Sequence, residues 1–154
     1  MRVYRIAKGK YAQDLSGEGA RLYGGRWNRK GTSVLYTAGN SSLAMLEKLV
    51  HIPPYVFPKD LKITVLEFPD KVGVGQITLD DLPVDWMHRP EHPSVLDIGD
   101  EFVMQSEFLC LKIPSAINPI DHNVLLNPKH RDFSKVKIID ELPIIFDRRL
   151  LKEV

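Results

Sequence analysis

Short runs of β-branched and aromatic residues recur along the chain and are separated by glycine, proline and asparagine. Such runs are typical of β-strands, because these side chains pack well on a pleated surface while the intervening residues favour turns. One segment of helix formers, 41–51, follows a potential N-cap at Asn40 or Ser41 and ends before Pro53 and Pro54. The pattern predicts an α+β protein with strands at 3–6, 33–37, 63–68, 108–113, 136–139 and 143–146, and with a second short helix at 98–105.

The length and composition indicate a single domain spanning residues 1–154. A chain of 154 residues is long enough to bury one substantial core. Its content of 44% hydrophobic and 27% charged residues is that of a folded globular protein. The segments 8–25 and 72–93 lack periodicity and are predicted to be loops, the first with a helical turn. No repeat or linker divides the chain.

The charge and the hydropathy pattern exclude several classes of protein. A formal net charge of +1 lacks the clustered excess of lysine and arginine that nucleic-acid binding requires, so no direct nucleic-acid partner is expected. No run approaches the length of a membrane span, and residues 1–10 lack the apolar core of a secretory signal, which predicts a cytoplasmic protein. The single cysteine, Cys110, lies in an apolar run and is expected to be a buried thiol.

The predicted helix at 41–51 carries a carboxylate within its apolar stripe. At about 100° per residue, Glu47 falls beside Leu43, Leu46 and Val50. A carboxylate that faces the interior loses solvation, and it therefore needs hydrogen-bond partners or a chemical role. The pattern leaves two interpretations open, a structural glutamate paired with an arginine or a backbone amide, and a functional carboxylate.

Glycines precede an arginine in the segment 23–31. Gly24 and Gly25 permit a close approach of the backbone, and Arg26 offers a planar fork of donors that suits phosphate or carboxylate. The alternative is a tight turn in which Trp27 is anchored in the core and Arg26 is solvated. Neither the Walker loop nor the Rossmann glycine spacing is present, so conventional nucleotide-binding folds are not supported.

Polar residues elsewhere in the chain give weaker signals. Ser115 follows a predicted strand, where it either caps a turn or hydrogen-bonds a ligand, and it lies in no nucleophile-elbow motif. Asn127 precedes Pro128 and either marks a turn or presents its amide to a ligand. The five histidines are dispersed, without the paired spacing of metal ligands and without a cysteine pair, so no metal is expected.

Taken in order, several short motifs resemble the RES-domain family, which is named for its Arg, Glu and Ser positions. The match extends over nearly the whole chain, and the order of the motifs is more specific than any one of them. The motifs are Tyr4-Arg5-Ile6, Gly25-Arg26-Trp27-Asn28, Gly31, Val34-Leu35-Tyr36-Thr37-Ala38, Leu43-Ala44-Met45-Leu46-Glu47, Ile113-Pro114-Ser115-Ala116, Leu126-Asn127-Pro128 and Phe146-Asp147-Arg148-Arg149-Leu150.

The resemblance implies a fold similar to that of ADP-ribosyltransferase toxins, with small mixed or antiparallel sheets and a few helices around an NAD⁺ cleft. It further implies the toxin of a type II toxin–antitoxin pair that consumes NAD⁺ as its substrate, with no cofactor and with an Xre-like antitoxin as partner. The arginines would hold the diphosphate or orient the nicotinamide ribose, and the tyrosine would lie near the nicotinamide. The implied site consists of catalytic Glu47 and Arg26 with substrate-binding Arg5, Tyr36, Ser115, Trp27, Asn28 and Asn127.

Cleavage of the nicotinamide–ribose bond is compatible with these residue types, because it builds oxocarbenium character that a fixed carboxylate stabilises. Water, phosphate or a protein side chain could accept the ADP-ribosyl group. An NAD⁺ glycohydrolase or phosphorylase and a protein ADP-ribosyltransferase are therefore both open. A third hypothesis is a non-catalytic module in which Arg26 and Arg29 bind nucleic-acid phosphates, and the near-neutral charge counts against it. Self-association as a homodimer is also compatible with the sequence.

Overall fold

The computed structural model describes residues 1–53 and 59–151, and of Arg148 and Leu151 only the backbone. Within these ranges the chain forms seven strands and three α-helices. The strands are β1 (Arg2–Lys8), β2 (Leu35–Ala38), β3 (Leu61–Glu67), β4 (Val74–Gln76), β5 (Cys110–Pro114), β6 (His122–Leu126) and β7 (Lys137–Ile144). The helices are α1 (Glu18–Tyr23), α2 (Ser41–Leu49) and α3 (Pro93–Gln105).

The seven strands form one sheet in the order β4-β5-β6-β2-β1-β3-β7. The β4–β5 pair is parallel and all other neighbours are antiparallel. The α+β class is therefore confirmed, with the correction that one mixed sheet connects all the strands instead of several small sheets.

The sheet is nearly interrupted in its middle. A single residue pair, Tyr4 with Ala38, joins β1 to β2, whereas seven pairs join β1 to β3 and four join β2 to β6. Because so little pairing holds β1 and β2 together, the two halves of the sheet diverge away from this pair. The gap between them provides room for a cleft.

The predicted strands at 3–6, 33–37, 63–68 and 108–113 are confirmed as β1, β2, β3 and β5, with shifted ends. The two predicted strands at 136–139 and 143–146 are one strand, β7, which pairs with β3 along its length. The sequence did not predict β4 or β6. The first contains Gly75 within a segment predicted as loop, and the second begins with the polar residues His122 and Asn123.

The predicted N-cap of α2 is confirmed, because the Asn40 side chain accepts a hydrogen bond from the backbone N–H of Leu43 at 2.8 Å. The helix ends at Leu49, before the predicted end at residue 51. Of the two prolines predicted to close the segment, Pro54 lies outside the described residues. Helix α3 begins at Pro93 and so is longer than the predicted 98–105, since proline is favourable in the first helical turn.

Alternate residues of the central strands face two apolar clusters, as expected for side chains that alternate across a sheet. Val124 and Leu126 of β6 face one cluster, and Leu125 faces the other together with Trp27 and residues of α3. Helix α3 passes so close to the segment after α1 that a Cβ on Gly99 would lie 1.6 Å from the backbone oxygen of Trp27. The segment that carries Arg26 is thus held directly against α3.

None of the described helices combines the length and apolar character needed to cross a membrane.

Candidate active site

A cleft of about 650 Å³ opens where β1 and β2 diverge. Its walls come from these two strands, from α1 and the segment after it, and from α2. Small-molecule sites in proteins typically have volumes of about 300–1,000 Å³. The cleft brings together five of the predicted site residues, Arg5, Arg26, Trp27, Tyr36 and Glu47.

Glu47 lies half-buried on the face of α2 that packs on the sheet. The buried residues of this face are Leu43 and Ala44, which lie one turn before Glu47. Leu46 and Val50, assigned by the sequence pattern to the inward stripe, are 42% and 59% exposed. The inward position of Glu47 is therefore confirmed, whereas the assignment of Leu46 and Val50 to the buried face is wrong.

Two side chains hold one oxygen of the Glu47 carboxylate. The buried hydroxyl of Ser115 donates to Oε1 at 2.8 Å, and Nδ2 of Asn123 donates to the same oxygen. The Ser115 Oγ also accepts from the backbone N–H groups of Ile117 and Asn118, at 3.1 and 3.2 Å. Ser115 thus caps the turn after β5, and its own proton is directed at Glu47.

Arg26 extends from the segment between α1 and β2 into the cleft. Its Nη1 donates to the carbonyl oxygens of Trp86 at 2.9 Å and of His88 at 3.4 Å. None of the ion pairs found among the described residues includes Arg26. Burial, and next the positive charge of Arg89, lower the pKa of the Arg26 guanidinium. A partly desolvated guanidinium without an acidic partner is suited to bind an anion.

The Tyr36 hydroxyl connects the cleft with the segment that carries Arg26. It donates to Oδ1 of Asn28 at 2.7 Å and accepts from the backbone N–H of Trp27 at 3.1 Å. Burial raises the pKa of Tyr36, so the phenol stays protonated and keeps both hydrogen bonds. A glycine is required beside it, because a Cβ on Gly25 would lie 2.6 Å from the Tyr36 hydroxyl oxygen.

Asn28 and Trp27 are buried and support the wall of the cleft from behind. Asn28 is 1% exposed, and the two protons of its Nδ2 are shared among three backbone carbonyl oxygens at 3.0–3.1 Å. With its Oδ1 bonded to Tyr36, the amide is fully used within the protein. The structure therefore places Asn28 behind the cleft wall and not on its surface. Trp27 is buried and packs on Trp86, with 5.9 Å between ring centroids.

Arg5 and Lys48 add positive charge to the cleft. Nη1 of Arg5 donates to the carbonyl oxygen of Tyr11 at 2.9 Å. Burial lowers the pKa of Arg5, against a smaller opposite effect of the Asp14 charge. Burial, and then the charges of Lys8 and Arg5, lower the pKa of Lys48. The cleft is therefore partly desolvated, and its lining combines basic side chains with the acidic side chains Asp14, Glu18 and Glu47.

Asn127 does not belong to the cleft. It is fully buried, and its Nδ2 donates to the carbonyl oxygen of Val103 at 3.3 Å and to Ser106 Oγ at 3.2 Å. Its Oδ1 accepts from the backbone N–H of Lys129 at 2.9 Å. The structure thus supports the interpretation of Asn127 as a turn residue, which ties the chain after β6 to the end of α3.

A second cavity, of about 380 Å³, adjoins the first. Glu47 and Arg26 line both cavities, as do His51 and Arg89. Sequence analysis missed Arg89, His51 and Asn123 as site residues. Arg89 lies in a segment without a recognisable motif and Asn123 on a strand that was not predicted, so no local signal marked either of them.

No group of three histidine, cysteine, aspartate or glutamate side chains in residues 1–53 and 59–151 is placed to hold a metal ion. A metal-free site stays a prediction.

Comparison with known proteins identifies the family. A sequence model of the RES domain matches residues 2–147. The chain belongs to the RES-domain family. This RES domain is 37% identical over 152 residues to "Toxin Res" of Yersinia enterocolitica, with 97% of this chain and 99% of the relative covered. It is 36% identical to "Toxin Res" of Photorhabdus laumondii, with 99% and 98% covered. It is also 32% identical to the "Prs ADP-ribosylating toxin" of a Sphingobium species, with 99% and 96% covered.

The RES domain is also similar in fold to a solved structure. A chain in the crystal structure of the M. tuberculosis MbcT–MbcA toxin–antitoxin complex superposes with a TM-score of 0.69, covering 94% of this chain and 84% of that one. Only 16% of the aligned residues are identical, so this similarity supports the fold alone. The match of the RES-domain model to residues 2–147 confirms the family predicted from the order of the motifs.

Proposed function

We propose that this RES-domain protein is the toxin of a toxin–antitoxin pair and that it cleaves the nicotinamide–ribose bond of NAD⁺. The proposal rests on the hydrogen bonds and the surroundings of the Glu47 carboxylate. Its carboxylate is anchored by Ser115 and Asn123 through Oε1 and lies in a cleft with Arg5 and Arg26, which form no ion pair with an acidic side chain among the described residues. The names of the curated relatives, which call them toxins, support the biological role.

Glu47 has the chemistry that the bond cleavage needs. Departure of neutral nicotinamide leaves positive charge on the anomeric carbon and ring oxygen of the ribose. A carboxylate held in a partly desolvated cleft stabilises that charge without reorganising during the reaction. Because Oε1 is occupied by two donors, Oε2 is the oxygen available to the sugar.

The cations of the cleft suit the rest of the dinucleotide. Arg5 and Arg26 each use one terminal nitrogen on backbone carbonyls, which fixes the side chain and leaves further N–H donors for the diphosphate. Tyr36 supplies aromatic surface to the same cleft, against which a nicotinamide ring can be oriented, and the buried Trp27 packs behind it. NAD⁺ is the substrate in this proposal, and the residues described need no cofactor for the cleavage.

The second cavity supports transfer to an acceptor. Glu47 and Arg26 line both cavities, so an acceptor in the smaller one would approach the ribose beside the same carboxylate. Water or phosphate as acceptor gives a glycohydrolase or a phosphorylase. Arg89, which pairs with Glu91 at 2.7 Å, and His51 also line the smaller cavity.

A second candidate function is ADP-ribosylation of a cellular protein. It is favoured by one specific observation, the name "Prs ADP-ribosylating toxin" of a relative that aligns over 99% of this chain. The third hypothesis, nucleic-acid binding through Arg26 and Arg29, loses support from the structure. Arg29 forms ion pairs with Asp97 at 2.7 Å and Asp100 at 2.9 Å, so its charge is already compensated.

An antitoxin is the proposed protein partner, by analogy with the toxin–antitoxin complex whose fold is similar. Its Xre-like character and its action in the cytoplasm belong to the same proposal. Homodimer formation stays a prediction.

To test the proposal, the purified protein is incubated with NAD⁺ alone, with added phosphate, or with cell lysate. Free nicotinamide is quantified, and the ADP-ribosyl product is identified by mass spectrometry. Release of nicotinamide supports the cleavage. ADP-ribose, ADP-ribose 1″-phosphate or a single modified protein then identifies the acceptor as water, phosphate or protein. Absence of nicotinamide release under all of these conditions would contradict the proposal.

A further inference from the structure

The amide of Asn123 has its orientation fixed by Glu47. Asn123 lies near the start of β6, half-buried and on the surface of the cleft. A carboxylate oxygen only accepts hydrogen bonds, so the amide group that faces Glu47 Oε1 is the NH₂ donor. The carbonyl oxygen Oδ1 of Asn123 must therefore point away from Oε1.

Two oxygen atoms of this pair are open to the cleft. Within the described residues, Asn123 Oδ1 and Glu47 Oε2 have no hydrogen-bond partner. Among the described residues, Glu141 Oε2 is the only buried side-chain nitrogen or oxygen atom without a hydrogen-bond partner. Asn123 Oδ1 and Glu47 Oε2 lack a partner but are not buried. Both oxygens are thus accessible, and they belong to two side chains joined by a hydrogen bond.

Two neighbouring acceptors select a particular kind of ligand group. A phosphate or carboxylate has no proton to offer them and would be repelled by Glu47. A sugar with adjacent hydroxyl groups has one donor for each oxygen. A ligand that leaves either acceptor unpaired on closing the cleft loses the energy of a desolvated polar group.

We propose that Asn123 is a substrate-binding residue and that Asn123 Oδ1 and Glu47 Oε2 together bind the vicinal diol of a ribose. This inference rests on the proposed function and names the part of the substrate that this corner of the cleft holds. Asn123 takes one hydroxyl and Glu47 takes the other. The two contacts place the anomeric carbon beside the carboxylate, while the arginines bind the diphosphate.

The test is a cycle that combines a change in Asn123 with changes in the substrate. The initial rate of nicotinamide release is measured for the wild type and for Asn123→Ala, with NAD⁺ and with the two analogues that lack the 2′- or the 3′-hydroxyl of the nicotinamide ribose. With NAD⁺, Asn123→Ala is expected to lower kcat/KM about tenfold to a hundredfold. With the analogue that lacks the hydroxyl bound by Asn123, the loss caused by the same substitution should be at least about threefold smaller than with NAD⁺, and the loss that remains reports the missing hydrogen bond to Glu47 Oε1.

Two variants separate substrate binding from a purely structural effect. Asn118→Ala removes a nearby amide that bonds Asp121 and lines neither cavity, and it should leave kcat/KM and both analogue ratios unchanged. Asn123→Ser keeps a short donor near Glu47 but cannot reach the sugar. It should reproduce the loss with NAD⁺, and it replaces Asn123→Ala in the cycle if the alanine variant does not fold.

The outcomes are distinct. A loss that is at least about threefold smaller with one analogue than with NAD⁺ supports the diol site and identifies the hydroxyl. Losses of equal size with NAD⁺ and with both analogues would show that Asn123 acts independently of the sugar, and would overturn this inference while leaving the cleavage reaction intact. Absence of nicotinamide release by the wild type would overturn the proposed function, and the ribose assignment with it.

Discussion

At the scale of single residues, the helical periodicity of the sequence singled out Glu47 correctly but assigned two of its neighbours to the wrong face. The sequence placed it among Leu43, Leu46 and Val50, but Leu46 and Val50 face outward. The helix instead packs through the side on which Leu43 and Ala44 lie, and Glu47 lies close to the middle of that side. Periodicity thus identified the unusual carboxylate, but the exact direction of the helix face depended on the strands below it.

Asn127 and Asn28 mark the limit of transferring roles by motif. Both were predicted to bind substrate, and both are buried residues whose amides bond to the protein. An asparagine that holds a loop and an asparagine that binds a ligand are identical in sequence. Only the location of the donors and acceptors around the amide distinguishes them.

Arg26 is expected to require the guanidinium and not just a positive charge. Nη1 is held by the carbonyl oxygens of Trp86 and His88, and the remaining donors form a planar fork that a lysine lacks. Arg26→Lys should therefore lower kcat/KM for nicotinamide release about a hundredfold. Steady-state kinetics with Arg131→Lys, an exposed arginine outside both cavities, provides the matched control. Equal activity of Arg26→Lys and the wild type would exclude this role.

At the scale of elements, local patterns predicted those strands that carry branched and aromatic residues. The strands they missed depend on neighbours. Strand β4 has three residues and forms only through parallel pairing with β5. Strand β6 lies inside the sheet but begins with the polar residues His122 and Asn123, of which Asn123 lines the cleft. The missed strand β6 is also the one that supplies Asn123, so the omission in the fold led to an omission in the site.

The contact between α3 and the Arg26 segment gives a prediction for Gly99. A Cβ at this position would lie 1.6 Å from the Trp27 backbone oxygen. Both atoms have positions set by the backbone, so no side-chain rotation relieves the clash. Gly99→Ala is expected to destabilise the fold by about 3 kcal/mol or more, and thermal denaturation should show a correspondingly lower Tm.

Gly19→Ala is the matched control, because Gly19 lies in α1 and nothing lies within 4 Å of a Cβ built there. This substitution should leave the Tm unchanged or raise it slightly, as expected for alanine in a helix. A Gly99→Ala variant as stable as the Gly19→Ala control would mean that α3 does not hold the Arg26 segment in the manner described.

At the scale of the whole molecule, the cleft exists because β1 and β2 share one residue pair and then separate. No local pattern in the sequence reports this divergence. The contacts that build the site join residues far apart in the chain, such as Glu47 with Ser115 and Arg26 with Trp86, at separations of 68 and 60 residues. The ordered family motifs could predict which residues meet, but not the interactions that bring them together.

Cys110 reports on the integrity of the whole fold. The thiol is fully buried in the main apolar cluster, and burial raises its pKa to about 11 from an ordinary value of 9.0. Because the folded pKa is the higher one, the unfolded thiol ionises first, and this group's contribution to stability is lost as the pH rises from about 9 towards about 11.

At pH 8, the native protein should not react with a thiol reagent such as Ellman's, and one thiol should react after denaturation in guanidinium. Rapid labelling of the native protein would contradict the packing of β5.

In the proposed reaction, the anchored carboxylate of Glu47 makes the cleft an NAD⁺-cleaving site. The most direct measurement compares nicotinamide release from NAD⁺ by the wild type, by Glu47→Gln and by Glu101→Gln, an exposed position on α3 that serves as control. The wild type and Glu101→Gln should release nicotinamide at similar rates, and Glu47→Gln should be slower by about a hundredfold to a thousandfold with an unchanged circular dichroism spectrum. Undiminished release by a folded Glu47→Gln variant would contradict this role of the Glu47 carboxylate.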